Sequence, residues 1–160
     1  MTTSMSPKAK ARLAGALYLL TIAFAAVGTS AENRYVLLGD AAATANNFLA
    51  HASGIRIGWA GYLIEMACNI GMTAVLYDHI DTVVGHYRNQ IALWDVVNEA
   101  LNDDGSLRST VWSSGIGPQY IELAFQLAHG ADPNAILVYN DYGIEVVNAK
   151  SDAVYAMARD

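Results

Sequence analysis

The sequence predicts an α/β chain in which parallel βα units follow a mostly α-helical, membrane-type N-terminal half. Three observations predict it. The first half holds two long apolar runs, at residues 13–31 and 57–77. The second half alternates short apolar runs with helical patterns, the rhythm of a parallel sheet. Charge divides the same way: residues 1–77 hold five basic and three acidic residues, residues 78–160 four basic and twelve acidic. The overall charge of -6 argues against a nucleic-acid partner, which needs a basic surface.

The first apolar run, residues 13–31 with LAGALYLLTIAFAAVG as its core, carries no charge and follows Lys8, Lys10 and Arg12. About 20 apolar residues span a bilayer core, and basic flanks mark the cytoplasmic side. The same features, with small residues at Ala26-Val27-Gly28 or Thr29-Ser30-Ala31, also describe a secretory signal peptide. The second run, IGWAGYLIEMACNIGMTAVLY, favours two spans near 12–30 and 57–77 with a cytoplasmic N-terminus. Secretion is the alternative if residues 1–31 are a leader. Glu65 and Asn69 share a helix face four residues apart. A buried polar pair explains them more simply than a function does. Between the runs, GDAAATANNFLAH suits a short amphipathic helix with Asp40 as its N-cap.

Residues 79–88 continue as helix, with Ile80, Val83, Val84 and Tyr87 on one face, and one continuous helix from 57 to 88 is possible. Residues 91–97 (IALWDVV) suit a buried strand. Residues 98–118 are polar and rich in Gly and Ser, so they read as loop with one short turn. Pro118 opens a helix over 120–129 that Gly130 ends. Residues 135–139 form the next strand and 149–159 the next helix. Two strands leave a parallel sheet with open edges.

Cys68, the single cysteine, excludes an intrachain disulfide and reads as a small apolar residue. His79, His86 and His129 lack ligand spacing and His51 stands alone, so no metal site and no cofactor are expected.

The chemistry points to WDVVNEALNDDG, residues 94–105. Asn98 and Glu99 fall at the C-terminal end of a predicted strand, where βα-barrel enzymes place reactive groups. A carboxylic acid there can protonate a leaving oxygen.

This block, followed by GSLRSTVW, IGPQYIELAF, ADPNAILVYNDYGIE and NAKSDAVYA, resembles an internal piece of the family 10 glycoside hydrolases, the xylanase family, over residues 78–160. The resemblance implies part of a (β/α)8 (TIM) barrel and retaining hydrolysis of β-1,4 bonds in xylan or xylo-oligosaccharides. It implies that Glu99 is the general acid/base, that Asn98 binds the sugar 2-hydroxyl, and that Tyr142 lines the leaving-group side. Trp94, Asp95 and Asp141 match as structural positions. Retention needs a second carboxylate about 5–5.5 Å from the first, and the family's nucleophile position has no counterpart here. Asp141 or Glu145 is a remote substitute, and Asp103 and Asp104 read as a solvated loop or helix-start pair. The expectation is a catalytic fragment that is inactive alone.

Residues 8–77, through KARLAGALYLLTIAF and LLGDAAATANNFLAH, resemble the start of the membrane family called domain of unknown function 4386. Two other readings follow: an integral membrane protein of unknown role, or a non-functional fusion of two unrelated pieces.

Overall fold

The computed structural model describes residues 5–159. The chain divides into two compact units, Met1–Met72 and Thr73–Asp160.

The first unit is helical. Helix α1 spans Pro7–Tyr35; Ser6 caps it by accepting from the Ala9 N–H, and Pro7 at the first turn needs no donor there. Helix α2, Ala41–Ala50, is capped by the Asp40 carboxylate, as the sequence suggests. Helix α3, Ala52–His86, is one unbroken helix whose last turns belong to the second unit.

Helices α1 and α3 run antiparallel. Tyr35 meets Gly54, Gly28 meets Tyr62, Thr21 meets Asn69 and Leu17 meets Gly71. Small residues make this approach possible. A Cβ on Gly28 would lie 2.6 Å from the Tyr62 ring, and one on Gly61 would lie 3.0 Å from the Phe24 carbonyl oxygen. The Thr21 hydroxyl, buried between the helices, donates to the Leu17 carbonyl and the Asn69 side-chain oxygen. Both helices are long and apolar enough to cross a membrane, and their apolar windows are only 11% and 28% buried. Leu19, Leu20, Ile22, Ile57, Leu63 and Ile70 face outward.

The second unit is α/β. Strand β1 (Leu93–Asn98) pairs in parallel with β2 (Ile136–Asn140), with a bulge between Asp95 and Val97. Helix α4 (Val111–Gly115) starts on a Thr110–Ser113 capping box within the segment read as loop. Helix α5 (Tyr120–Ala131) crosses between the strands, and α6 (Ala149–Arg159) follows β2. Helix α5 corrects one expectation, because Gly130 does not end it. Ala131 is buried in the core, and the helix closes on Asp132, whose N–H bonds the Ala128 carbonyl.

The core explains the layer order. Leu76, Ile80 and Val84 of α3 pack with Val97 and Ala100 and with Tyr120, Ile121, Ala124 and Ala128 of α5. The small alanines let α5 lie close to the sheet. Burial of such a set supplies about 1.5–3 kcal/mol per large aliphatic side chain.

Candidate functional site

The site is built on the C-terminal ends of the two strands. The β1–β2 register puts Asn98 opposite Asn140, and the Glu99 N–H bonds the Asn140 carbonyl at 2.8 Å. The ladder therefore fixes the backbone of Glu99. Asn140 Nδ2 donates to Asn98 Oδ1 at 2.7 Å, which orients the Asn98 amide.

Glu99 has φ = +53°, a left-handed conformation that costs a non-glycine residue about 1–3 kcal/mol. The surroundings hold it there. Next to it, the Ala100 N–H donates to the Tyr139 hydroxyl at 3.2 Å and the Leu101 N–H to Asp141 Oδ2 at 3.4 Å. Strained backbone of this kind gathers at reactive sites.

A short hairpin then returns the chain. Leu101 bridges Leu107, Asn102 bonds Ser106, and the Asp104 carboxylate accepts from the Ser106 N–H and hydroxyl. Those two bonds hold the Asp104 carboxyl below its usual range. Gly105 turns the hairpin at φ = +81°, and a Cβ there would lie 2.7 Å from the Ala149 carbonyl.

The hairpin delivers Arg108. Its Nη1 lies 3.4 Å from Glu99 Oε2, and its Nη2 donates to the Leu101 carbonyl and the Tyr142 hydroxyl, each at 3.2 Å. Burial alone would lower the Arg108 pKa; the Tyr142 hydrogen bond and the charges of Glu99 and Asp141 raise it. The charged group that meets Glu99 is thus a cation.

Behind Tyr142 lies a buried ion pair. Lys150 Nζ sits 2.7 Å from Asp141 Oδ1, 3.4 Å from the Tyr142 ring centroid, and 3.6 Å from Asp103. Asp141 also accepts from the Tyr142 N–H at 2.9 Å and from the Tyr139 hydroxyl at 2.5 Å. Burial pushes the Asp141 carboxyl up, but Lys150 and these donors hold it below the usual range. Burial pushes Lys150 down, and Asp141 more than restores it. The Tyr139 hydroxyl is raised, by burial first and then by its bond to Asp141. Asp141 therefore serves as a post for the loop after β2. Its oxygens are committed to four donors, and it is not poised as a second reactive carboxylate.

Glu99 and Tyr142 come together through Arg108, and Asn98 stands beside them on β1. Trp94 is half-buried and packs against the core, and Asp95 lines a cavity of about 380 Å³ that Trp94, Asn98, Thr110 and Trp112 also line. Arg108 and Lys150 were not singled out in the sequence. A turn signal, Asp103-Asp104-Gly105 between Leu101 and Leu107, marks the hairpin that returns Arg108. Nothing local marks Lys150.

Residues 58–160 match the family model for glycosyl hydrolase family 10. The chain belongs to glycosyl hydrolase family 10. Residues 13–101 also match the domain of unknown function DUF4386, so the two matches overlap across α3, β1 and the start of the hairpin. Among family 10 relatives, endo-1,4-beta-xylanase B of Thermotoga neapolitana is 54% identical over 86 residues, which cover 54% of this chain and 25% of the relative. The native xylanase 10B of Thermotoga maritima superposes with a TM-score of 0.56 at 54% identity, covering 57% of this chain and 28% of that one. The xylanase 10B of Thermotoga petrophila, solved with xylobiose, gives 0.53 at 56% identity, covering 54% and 26%. The chain spans about a quarter of the length of the curated relatives it matches.

Proposed function

We propose that the second unit carries the acid/base half of a retaining family 10 site acting on xylan or xylo-oligosaccharides. Glu99 is the general acid/base, Asn98 grips the sugar hydroxyl next to the cleaved bond, and Tyr142 walls the leaving-group side. The observation that carries this reading is the strained Glu99 at the end of β1, fixed by Asn140 and met by Arg108.

Acid catalysis needs a carboxyl at the leaving oxygen and a nucleophile about 5–5.5 Å away on the other face. Among the described residues, Glu99 meets a guanidinium, and Asp141 is held by Lys150 and Tyr139. The proposed consequence is that these residues do not hydrolyse xylan until another carboxylate is brought to them. A reducing-sugar assay on xylan tests this, with Glu99→Ala as control. No release above buffer from either protein is expected. Release that disappears in Glu99→Ala would sink the inactive reading and show that the chain supplies its own nucleophile.

A second proposal rests on the outward apolar faces of α1 and α3. Residues up to about 77 form a membrane hairpin, with Lys8, Lys10 and Arg12 holding the N-terminus in the cytoplasm. The lipid bilayer is then a partner, and residues from about 78 onward form the family 10 portion. Alkaline washing of membranes checks this: the uncleaved chain is expected to sediment with lipid. Recovery in the supernatant, or an N-terminus shortened by some thirty residues, rejects the hairpin.

A further inference from the structure

The first unit contains a cavity that the family 10 chemistry does not use. It has a volume of about 280 Å³ and lies where α1 ends, α2 ends and α3 begins. Its lining includes Phe48, Trp59, Tyr62, Glu32, Gly28 and Gly58. Each feature has a structural cause. The two glycines let α1 and α3 approach so closely that added Cβ atoms would strike Tyr62 and Ala31.

The chemistry of the lining is selective. Glu32 Oε2 accepts from the Tyr62 hydroxyl at 2.7 Å, which fixes the carboxylate and leaves Oε1 for a ligand. Among the described residues, no lysine or arginine nitrogen forms an ion pair with Glu32. Arg34 instead lies 5.9 Å from the Tyr35 ring centroid. Glu32 is in the last turn of α1 and Phe48 in that of α2, while α3 begins beside them, so the helix ends contribute potential of both signs and the carboxylate is the net charge of the lining. Aromatic rings with a carboxylate disfavour anions and attract cations. The apolar share of the walls favours an alkylated ammonium over a small hydrated metal ion.

We infer that this cavity is a binding site for an organic ammonium group, held by the Glu32 carboxylate and the faces of Trp59, Tyr62 and Phe48. The cation can come from a phospholipid headgroup or from a soluble amine, since both present the same ammonium.

The test uses the full chain, labelled with nitrogen-15 at its tryptophan indoles, in a maltoside detergent. Trp59→Phe assigns the Trp59 resonance. Choline chloride is expected to shift that resonance saturably, and its neutral isostere 3,3-dimethyl-1-butanol is expected not to. Glu32→Gln, which keeps an acceptor for Tyr62, is expected to weaken choline about tenfold. Trp59→Ala, followed by calorimetry, is expected to weaken it comparably, and circular dichroism shows whether each variant keeps its helices.

Nanodiscs separate the sources. With a headgroup as occupant, the Trp59 resonance in phosphatidylcholine discs already sits at its choline-bound position. With a soluble amine, it moves only on adding choline, in phosphatidylcholine and phosphatidylglycerol discs alike. Either result supports the site. An equal response to the neutral isostere, no saturable shift, or full affinity in a folded Glu32→Gln overturns it.

Discussion

Glu99 is held in a conformation that its side chain disfavours. Its N–H is tied to Asn140, and the next two N–H groups are tied to Tyr139 and Asp141, so the ladder and the loop after β2 together impose the positive φ. A glycine there would relax the strain, whereas an alanine would keep it. Both remove the Arg108 contact, which at this exposure contributes at most about 0.5 kcal/mol. Glu99→Gly should therefore be more stable than Glu99→Ala by about 1 kcal/mol in denaturant unfolding of the detergent-solubilised chain. The Asp141–Lys150–Tyr139 cluster predicts a pH profile. Asp141 is depressed below its ordinary 3.8, so its contribution is present above that value and is lost as pH falls through the folded pKa. Lys150 is raised above 10.5 and Tyr139 above 10.0, so their contributions are present below those values and are lost as pH rises through the folded ones. Unfolding followed by near-ultraviolet circular dichroism should show both limbs. Asp141→Asn should lower stability at neutral pH and flatten the acid limb, because Asn does not titrate.

Among the elements, the α1–α3 hairpin depends on residues that lack side chains. A Cβ at Gly61 meets the Phe24 carbonyl oxygen at 3.0 Å and Val27 at 3.2 Å, and the first contact is backbone that cannot rotate away. Gly61→Val should destabilise the first unit by about 1–3 kcal/mol in a detergent melt followed at 222 nm. The helices were legible as elements because their patterns are long. The two apolar runs, the Asp40 cap and residues 149–159 could be read directly, and the strands were displaced by one or two residues. The short elements were not. Helix α4 has five residues and is set by the Thr110–Ser113 capping box rather than by periodicity. Gly130 suggested a helix end, but burial of Ala131 in the core outweighed its propensity. Arg108 reaches Glu99 only because the Leu101–Leu107 bridge folds the chain back, a tertiary fact with a faint turn signal.

At the scale of the whole molecule, the family was legible in the linked blocks from WDVVNEALNDDG to NAKSDAVYA. The boundary between the halves was less so. The two family matches share residues 58–101, the compact units divide at 72/73, and one unbroken helix runs through both. Continuous helical periodicity leaves no local mark of a junction. Among the described residues, the charged group that meets Glu99 on the second unit is Arg108, and Asp141 is held by Lys150 and Tyr139. The most direct measurement grafts residues 78–160 into the xylanase 10B of Thermotoga petrophila, in place of the matching quarter of that protein. The folded hybrid should release reducing sugar from xylan, and Glu99→Ala within it should lower the rate about 10²–10⁴-fold. A folded hybrid that is inactive with Glu99 in place, or equally active without it, would contradict the assignment of Glu99 as the general acid/base.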